Sequence, residues 1–346
     1  MRNVCIPGIA LLTCLAASAQ TNSYTVTNIV TNTQDQYLIN PWGLSRPASS
    51  TAKENEWWVS DNVTGYSTLY YANKTGSASL AALVVTIPPA GATGTGSPTG
   101  TASNANNFAF ATLDGTISYW NYLTKPATPG ASCAGCHVTT ATIMVNNSAK
   151  GASYQGLTVA KYAANGLQTY YAANANGGVE AYDATSFSPV TLPAGAFTDS
   201  KIPNTYSPAG IQAIGSRIYV TYNAIAGGGT GYVDAFNTEG KLLLRLQQGW
   251  FNQPWGIAVA PASFGAFSKA VLVGNTGSGW IGAYNASNGD FLGFLDDSTG
   301  ATITLPGLWG IEFGNGNAES GPTTTLYFNA GGAAQTTGVF GAITAN

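Results

Sequence analysis

One short motif in the chain has the residue types and spacing that attach c-type haem: Cys133-Ala-Gly-Cys136-His137. In such a motif two thiols add to the haem vinyl groups, and the histidine that follows binds the iron. Apart from two cysteines in the first 19 residues, these are the only cysteines, and His137 is the only histidine. The motif therefore makes haem c a candidate cofactor of an electron-transfer protein.

Other interpretations of this motif stay open. Cys133 and Cys136 can instead form a small disulfide, which suits an exported chain, or remain free or catalytic thiols. Met144 is the only distal sulfur ligand, and it follows His137 too closely for both to bind opposite faces of one iron easily. A zinc site is disfavoured because only three candidate ligands cluster where four are usual.

The elements that must position these residues repeat along the chain. A glycine-centred element recurs about every fifty residues, at Gly43, Gly100, Gly156, Gly210, Gly256 and Gly310. A second set of glycines runs in phase with it, and each precedes a bulky residue by five: Gly65, Gly115, Gly177, Gly231, Gly279 and Gly338. Short alternating segments at this period predict radially arranged strands.

Each repeat is expected to form one four-stranded antiparallel blade with Asn- and Gly-containing turns. The sequence therefore predicts an all-β, six-bladed β-propeller. Tyr24 to Val30 alternates like a strand, and the last repeat ends at Gly338 to Ile343 without room for its own outer strand. We expect the N-terminal strand to fill that place and close the ring, because an unpaired edge is a liability.

Composition limits the classes of partner. Only 8% of the residues are charged and the formal net charge is −3, so no basic patch exists for nucleic acid. Arg2, an apolar run and Ala17-Ser18-Ala19 predict a signal peptide at 1–19. Residues 20–346 are then a single propeller domain with a loop insertion at about 123–140. We expect an exported monomer, periplasmic or extracellular, with no membrane span.

Several of these segments together resemble a known family. They are Asn40-Pro41-Trp42-Gly43-Leu44, Pro254-Trp255-Gly256-Ile257-Ala258 and Gly307-Leu308-Trp309-Gly310-Ile311. The chain is similar over nearly its whole mature length to an uncharacterised family of exported bacterial proteins with a six-bladed, TolB-like propeller. The resemblance implies the fold and export. It implies no established activity and no catalytic residues.

The positions just before the repeat glycines are candidate channel-lining residues. None of them is charged, which disfavours a metal ion at that ring because hard cations prefer several oxygens, usually including carboxylates. Trp42, Trp255 and Trp309 come from adjacent blades once the ring closes. Their indoles can form an aromatic shelf for a sugar or other flat ligand, or they can plug the channel and pack blade against blade.

A second candidate ring is polar and lies where the second strand of each repeat ends. Its members are Asp61, Thr112, Asn174, Asn223, Asn275 and Asn329. Such residues either turn the chain by bonding their own backbone or surround the axis with oxygens for water, a weak cation or a polar ligand. Asp61 is the only charge among them, so strong binding of a divalent cation is not expected.

The sequence favours a non-enzymatic binding or interaction module over an enzyme. No G-x-S-x-G elbow occurs, and few titratable groups suit acid–base work. Its partner is an unknown small molecule, glycan or protein. The first alternative is the monohaem electron-transfer protein. The second is a lyase or hydrolase at the channel mouth, with Asp61 as its acid or base.

Overall fold

In the computed structural model the described residues are 21–52, 55–91, 93–105, 107–121 and 139–346. They form six antiparallel sheets, each one blade, and three short 3-10 helices at Gly76–Ser79, Ser148–Lys150 and Gly265–Phe267. The predicted all-β, six-bladed propeller is confirmed.

The strands follow one another from the axis to the rim within each blade. The chain begins with β1 (Tyr24–Thr31), and blade 1 contains β2 (Pro41–Ser45), β3 (Trp57–Asp61), β4 (Tyr66–Tyr70) and β5 (Val85–Thr86). Blade 2 contains β6 (Pro98–Asn104), β7 (Asn107–Thr112), β8 (Thr116–Asn121) and β9 (Thr142–Asn146). Blade 3 contains β10 (Tyr154–Lys161), β11 (Gln168–Asn174) and β12 (Gly178–Asp183).

The second half of the ring repeats this order. Blade 4 contains β13 (Tyr206–Ile214), β14 (Arg217–Ala224), β15 (Gly231–Phe236) and β16 (Leu242–Arg245). Blade 5 contains β17 (Pro254–Val259), β18 (Val271–Asn275), β19 (Ile281–Tyr284) and β20 (Phe291–Phe294). Blade 6 contains β21 (Leu308–Phe313), β22 (Leu326–Ala330), β23 (Val339–Ala345) and, outermost, β1.

The ring is closed by β1, as predicted from the alternation of its residues. It pairs antiparallel with β23 from Tyr24 opposite Ala345 to Thr31 opposite Val339. The Tyr24 ring is buried, and its hydroxyl donates to the carbonyl oxygen of Phe264 at 3.1 Å. The last blade is therefore tied to the start of the chain, and Tyr24 also fastens this strand to blade 5.

Close contact between neighbouring inner strands explains the repeated glycine. A Cβ added at any of the six repeat glycines would lie closer than 3.0 Å to a backbone atom of the next inner strand. For Gly156 the atom is the carbonyl oxygen of Ala209, and for Gly310 it is that of Trp42, which carries the contact from blade 6 back to blade 1. Only glycine lets six inner strands converge this closely.

The space between blades is filled by apolar and aromatic side chains. Between blades 1 and 2, for example, the Trp58 ring stacks on Phe108 with centroids 4.0 Å apart and lies 4.7 Å from Trp120. All three side chains are buried. Because each blade packs on two neighbours in this way, the core forms a ring of separate clusters.

Blade 3 departs from the four-stranded pattern that the other five blades follow. Outside β12 the described residues form only an isolated bridge between Tyr182 and Pro189. Proline has no N–H to donate to a strand ladder, and Pro193 follows four residues later. The chain then leaves the blade, and the buried Phe197 packs in a cluster with Phe236 of blade 4.

Candidate binding surfaces

The three predicted channel tryptophans come together on the axis. Trp42 stacks on Trp309 with centroids 3.7 Å apart, and Trp255 meets Trp309 edge-on at 5.8 Å. Each is only 7–8% exposed, and Ala209 completes the cluster. Two indole N–H groups are used internally, from Trp309 to Asn40 Oδ1 at 3.0 Å and from Trp255 to the carbonyl oxygen of Gln155 at 3.2 Å.

This cluster blocks the centre of the ring. Beneath it lies a void of about 20 Å³, lined by inner-strand residues that include Gly43, Gly100, Gly256 and Gly310. Such a space has room for about one water molecule. Stacking of a ligand on Trp42, Trp255 and Trp309 stays a prediction, and little of their ring surface is open to it.

The predicted polar ring lies at the end of the molecule where the inner strands begin. Its side chains bond mostly to backbone: Asn329 Nδ2 donates to the carbonyl oxygen of Gly43 at 3.0 Å, and Asn174 Oδ1 accepts from the N–H of Asn176. With its amide assigned in the orientation that satisfies its neighbours, Asn223 Nδ2 donates to the carbonyl oxygen of Pro254 at 3.3 Å. Asn275 Oδ1 accepts from the N–H of Asn252.

Two members of this ring sit among hydroxyl groups instead. Thr112 bonds to the Thr116 hydroxyl at 2.8 Å, and Asp61 Oδ2 accepts from the Thr68 hydroxyl at 2.8 Å. Asp61 is completely buried, and burial raises its pKa well above the usual range for Asp. No part of the carboxyl reaches solvent, so a substrate has no direct access to it in this conformation.

At the opposite end of the axis lies a small polar pocket that the sequence interpretation missed. It has a volume of about 130 Å³ and is lined by Ser45, Thr101, Thr158, Gln212, Arg46 and Glu312, among others. Arg46 Nη2 lies 3.6 Å from Glu312 Oε1. Burial raises the pKa of Glu312 to about 7, although the guanidinium of Arg46 acts against the rise.

A signal for this pocket was present in the repeats. The position two residues after each repeat glycine is polar in four of the six: Ser45, Thr158, Gln212 and Glu312, with Ala102 and Ala258 as the others. This position lies three residues after the one that precedes the glycine, and the β-bulge that shifts the strand register at the glycine lets both positions face the axis. The sequence prediction covered the positions before the glycines and those at the ends of the second strands, and it did not include this one.

A third surface lies on the rim of blade 5 and consists of exposed aromatic rings. Trp250 is 45% exposed and stacks on Phe291 with centroids 4.5 Å apart at an interplanar angle of 14°. Trp280 is 39% exposed and meets Phe294 edge-on at 5.0 Å, while its indole N–H donates to Thr304 Oγ1 at 3.1 Å. Phe294 also meets Trp250 edge-on at 6.1 Å.

We call Trp250, Trp280, Phe291 and Phe294 the blade-5 aromatic surface. Leu292, which is 50% exposed, lies on β20 between Phe291 and Phe294. Contiguous exposed aromatic area of this kind is uncommon on a soluble domain and marks interaction sites. The repeat pattern gives no sign of it, because Trp250 precedes the inner strand and Trp280 precedes the third strand of only this blade.

A groove of about 580 Å³ lies between blades 2 and 3, beside the incomplete rim of blade 3. Glu180 in this groove is fully hydrogen-bonded: Oε2 accepts from the hydroxyls of Tyr154 at 2.7 Å and Tyr182 at 2.5 Å, and Oε1 accepts from Asn174 Nδ2 at 2.7 Å. Asn147 Nδ2 donates to both tyrosine oxygens. This network fastens blade 2 to blade 3.

Other predicted sites lie outside the described residues. Cys133, Cys136 and His137 fall within 122–138, and the predicted signal peptide falls within 1–20. Among the residues that the structure does describe, no group of three or more His, Cys, Asp or Glu side chains is placed to hold a metal ion. Within the same residues, no helix has the length and apolar character needed to cross a bilayer.

Comparison with known proteins returned viral relatives rather than the bacterial family that the sequence resemblance suggested. No family model matches the chain. An uncharacterized protein of Acanthamoeba polyphaga mimivirus is 27% identical over 347 aligned positions, covering 91% of this chain and 83% of that protein. Two other mimivirus proteins are 28% and 35% identical, and the chain spans only 39% and 31% of their lengths.

Solved structures support the architecture. A glucose dehydrogenase superimposes with a TM-score of 0.56 at 13% identity, covering 93% of this chain and 100% of that one. A protein of unknown function from Bacteroides thetaiotaomicron gives a TM-score of 0.58 at 10% identity, covering 93% of this chain and 76% of that one. At such identities the likeness concerns the fold alone.

Proposed function

We propose that this chain is a non-enzymatic binding propeller and that it binds carbohydrate on the blade-5 aromatic surface. The observation that carries the proposal is the combination of exposure and fixed orientation of two indole rings. Trp250 is held by stacking on Phe291, and Trp280 is held by its hydrogen bond to Thr304. A ligand therefore meets flat rings that lose little conformational entropy on binding.

Carbohydrate fits this surface better than a charged ligand does. The C–H faces of a sugar ring pack on aromatic faces, and its hydroxyls need neutral hydrogen-bonding groups beside them. Thr304 and Gln247 supply such groups near Trp280 and Phe291. Only 8% of the chain is charged, which suits recognition of neutral glycans.

Replacement of Trp250 by Ala is expected to weaken glycan binding at least tenfold, about 1.4 kcal/mol, with little change in unfolding temperature, because nearly half of this side chain is already exposed. The measurement is a panel of soluble neutral polysaccharides in affinity electrophoresis, followed by titration of the best binder. Leu167→Ala is the matched control, since Leu167 is 53% exposed far from this surface. Equal binding by Trp250→Ala, or no binding to any polysaccharide, would contradict the proposal.

We further propose that the chain is exported, and the Cys133-Ala-Gly-Cys136-His137 motif supports haem c as a second candidate. Both proposals are tested by the intact mass of protein made in a host that matures cytochromes. Export predicts a chain that starts at Gln20. Haem attachment predicts an added haem mass and a Soret band that survives denaturation. A colourless protein lighter by two hydrogen atoms than the chain with free thiols assigns the pair to a disulfide instead.

A further inference from the structure

Two buried carboxyl groups are joined by a chain of two hydroxyl groups where the ring closes. Asp61 Oδ2 lies 2.8 Å from Thr68 Oγ1, Thr68 Oγ1 lies 2.8 Å from the Tyr70 hydroxyl, and that hydroxyl lies 2.9 Å from Asp35 Oδ2. Asp61, Thr68 and Tyr70 are at most 1% exposed, and Asp35 is 6% exposed. Asp35 follows β1, whereas the other three belong to blade 1.

Counting protons shows how many this series of hydrogen bonds requires. It contains three oxygen–oxygen contacts at hydrogen-bond distance, and each needs one proton between the oxygens. The hydroxyls of Thr68 and Tyr70 supply two protons, because each hydroxyl donates once. The third proton must come from a carboxyl group.

The surroundings indicate which carboxyl holds the proton. Asp35 also accepts a hydrogen bond from the backbone N–H of Tyr37 at 2.9 Å. A negative charge on the Asp35 carboxylate is therefore stabilised by two donors, this N–H and the Tyr70 hydroxyl. Asp61 Oδ1 is buried and has no hydrogen-bond partner among the residues that the structure describes. An ionised carboxylate in such a place is costly, whereas a protonated one donates to Thr68 and leaves only a carbonyl oxygen unpaired.

Few other titratable groups face this series of hydrogen bonds. Tyr66 lies opposite Asp61 in the β3–β4 register, and Tyr37 packs on Tyr66 with centroids 4.7 Å apart. Of the described Lys and Arg residues, none forms an ion pair with Asp35 or Asp61. Within the described residues, no cation therefore compensates a second negative charge at this place.

We propose that Asp35 and Asp61 share a single proton held on Asp61, and that this proton joins the closing segment after β1 to blade 1. The direction of the shift in the Asp61 pKa agrees with this, since burial and the charge of Asp35 both raise it. A carboxyl whose pKa is raised by folding stabilises the fold fully below its unfolded pKa. That stabilisation is lost as the pH rises through the folded pKa. The contact between the segment after β1 and blade 1 then becomes weaker at high pH.

The test combines infrared spectroscopy with two nearly isosteric variants. In the wild type near pH 6, about two units above an ordinary Asp pKa, aspartate labelled with ¹³C at its side-chain carbonyl should show the band of a protonated acid. Asp61→Asn keeps a donor to Thr68 but has no proton to lose, so it should remove that band. Thr68→Val removes the bridging hydroxyl and should shift the band to higher frequency.

Thermal unfolding of the same proteins measures the consequence. The unfolding temperature of the wild type should fall relative to that of Asp61→Asn as the pH rises from 5 to 9. A band that both variants leave unchanged, or a constant difference in unfolding temperature across this range, overturns the proposal. If Asp61→Asn does not fold, the band shift in Thr68→Val still decides, because a proton held elsewhere would not respond to that hydroxyl.

Discussion

Substitution of Gly210 by Ala is expected to prevent the ring from forming or to destabilise it by more than about 3 kcal/mol, the upper part of the range for overpacking. A Cβ at this position would overlap the carbonyl oxygen of Trp255 on the neighbouring inner strand. That atom belongs to the backbone of blade 5 and cannot rotate away as a side chain would. The measurement is chemical denaturation of the soluble fraction.

Gly91→Ala is the matched control for this substitution. In the described part of the chain, Gly91 has no atom beyond its chain neighbours within 4 Å of its added Cβ, and its backbone is not in the left-handed region. The control should unfold like the wild type, within about 0.5 kcal/mol. If Gly210→Ala were equally stable, close approach of the inner strands could not be the reason for the repeated glycine.

Removal of residues 21–31, and with them β1, is expected to unfold the protein or leave a molten ring. The strand buries Tyr24, Ile29 and Val30, and burial of each such side chain contributes about 1.5–3 kcal/mol. It also covers the edge of β23 along seven register pairs. The free energy gained by burying these three side chains is together comparable with the net stability of a typical domain, about 5–15 kcal/mol.

Adding the strand back as a peptide separates a missing strand from general damage. A synthetic peptide of residues 21–35 should restore cooperative unfolding to the truncated chain, whereas a scrambled peptide of the same composition should not. Circular dichroism in the near ultraviolet reports the ordered aromatic clusters in each case. Cooperative unfolding of the truncated protein without the peptide would show that β1 is dispensable for closure.

The architecture could be predicted because its main requirement is local and repeated. The repeat glycines mark the points where inner strands approach one another, and each close approach excludes any residue that has a Cβ. The position of β1 followed from its alternation and from the missing outer strand of the last repeat. Blade 3 could not be foreseen in the same way, because Pro189 and Pro193 redirect the chain only in their three-dimensional context.

The candidate sites were harder to predict because they depend on which side chains meet across blades. Trp42, Trp255 and Trp309 do meet, as the closing of the ring required, but their burial could not be read from the sequence. Glu312 and Arg46 approach each other from blades 6 and 1. The exposure of Trp250 depends on where the loop before blade 5 turns, and no repeat position encodes it.

The way β1 and β23 meet also determines how the ring responds to force. Tyr24 and Ala345 lie opposite each other at one end of this antiparallel pair, and Ser23 and Asn346 are hydrogen-bonded just beyond it. Tension between these two points peels the pair apart one rung at a time, instead of loading all of its hydrogen bonds together. We therefore expect the ring to open at a lower force when tension is applied at Tyr24 and Ala345 than when the two strands are pulled in opposite directions along their length.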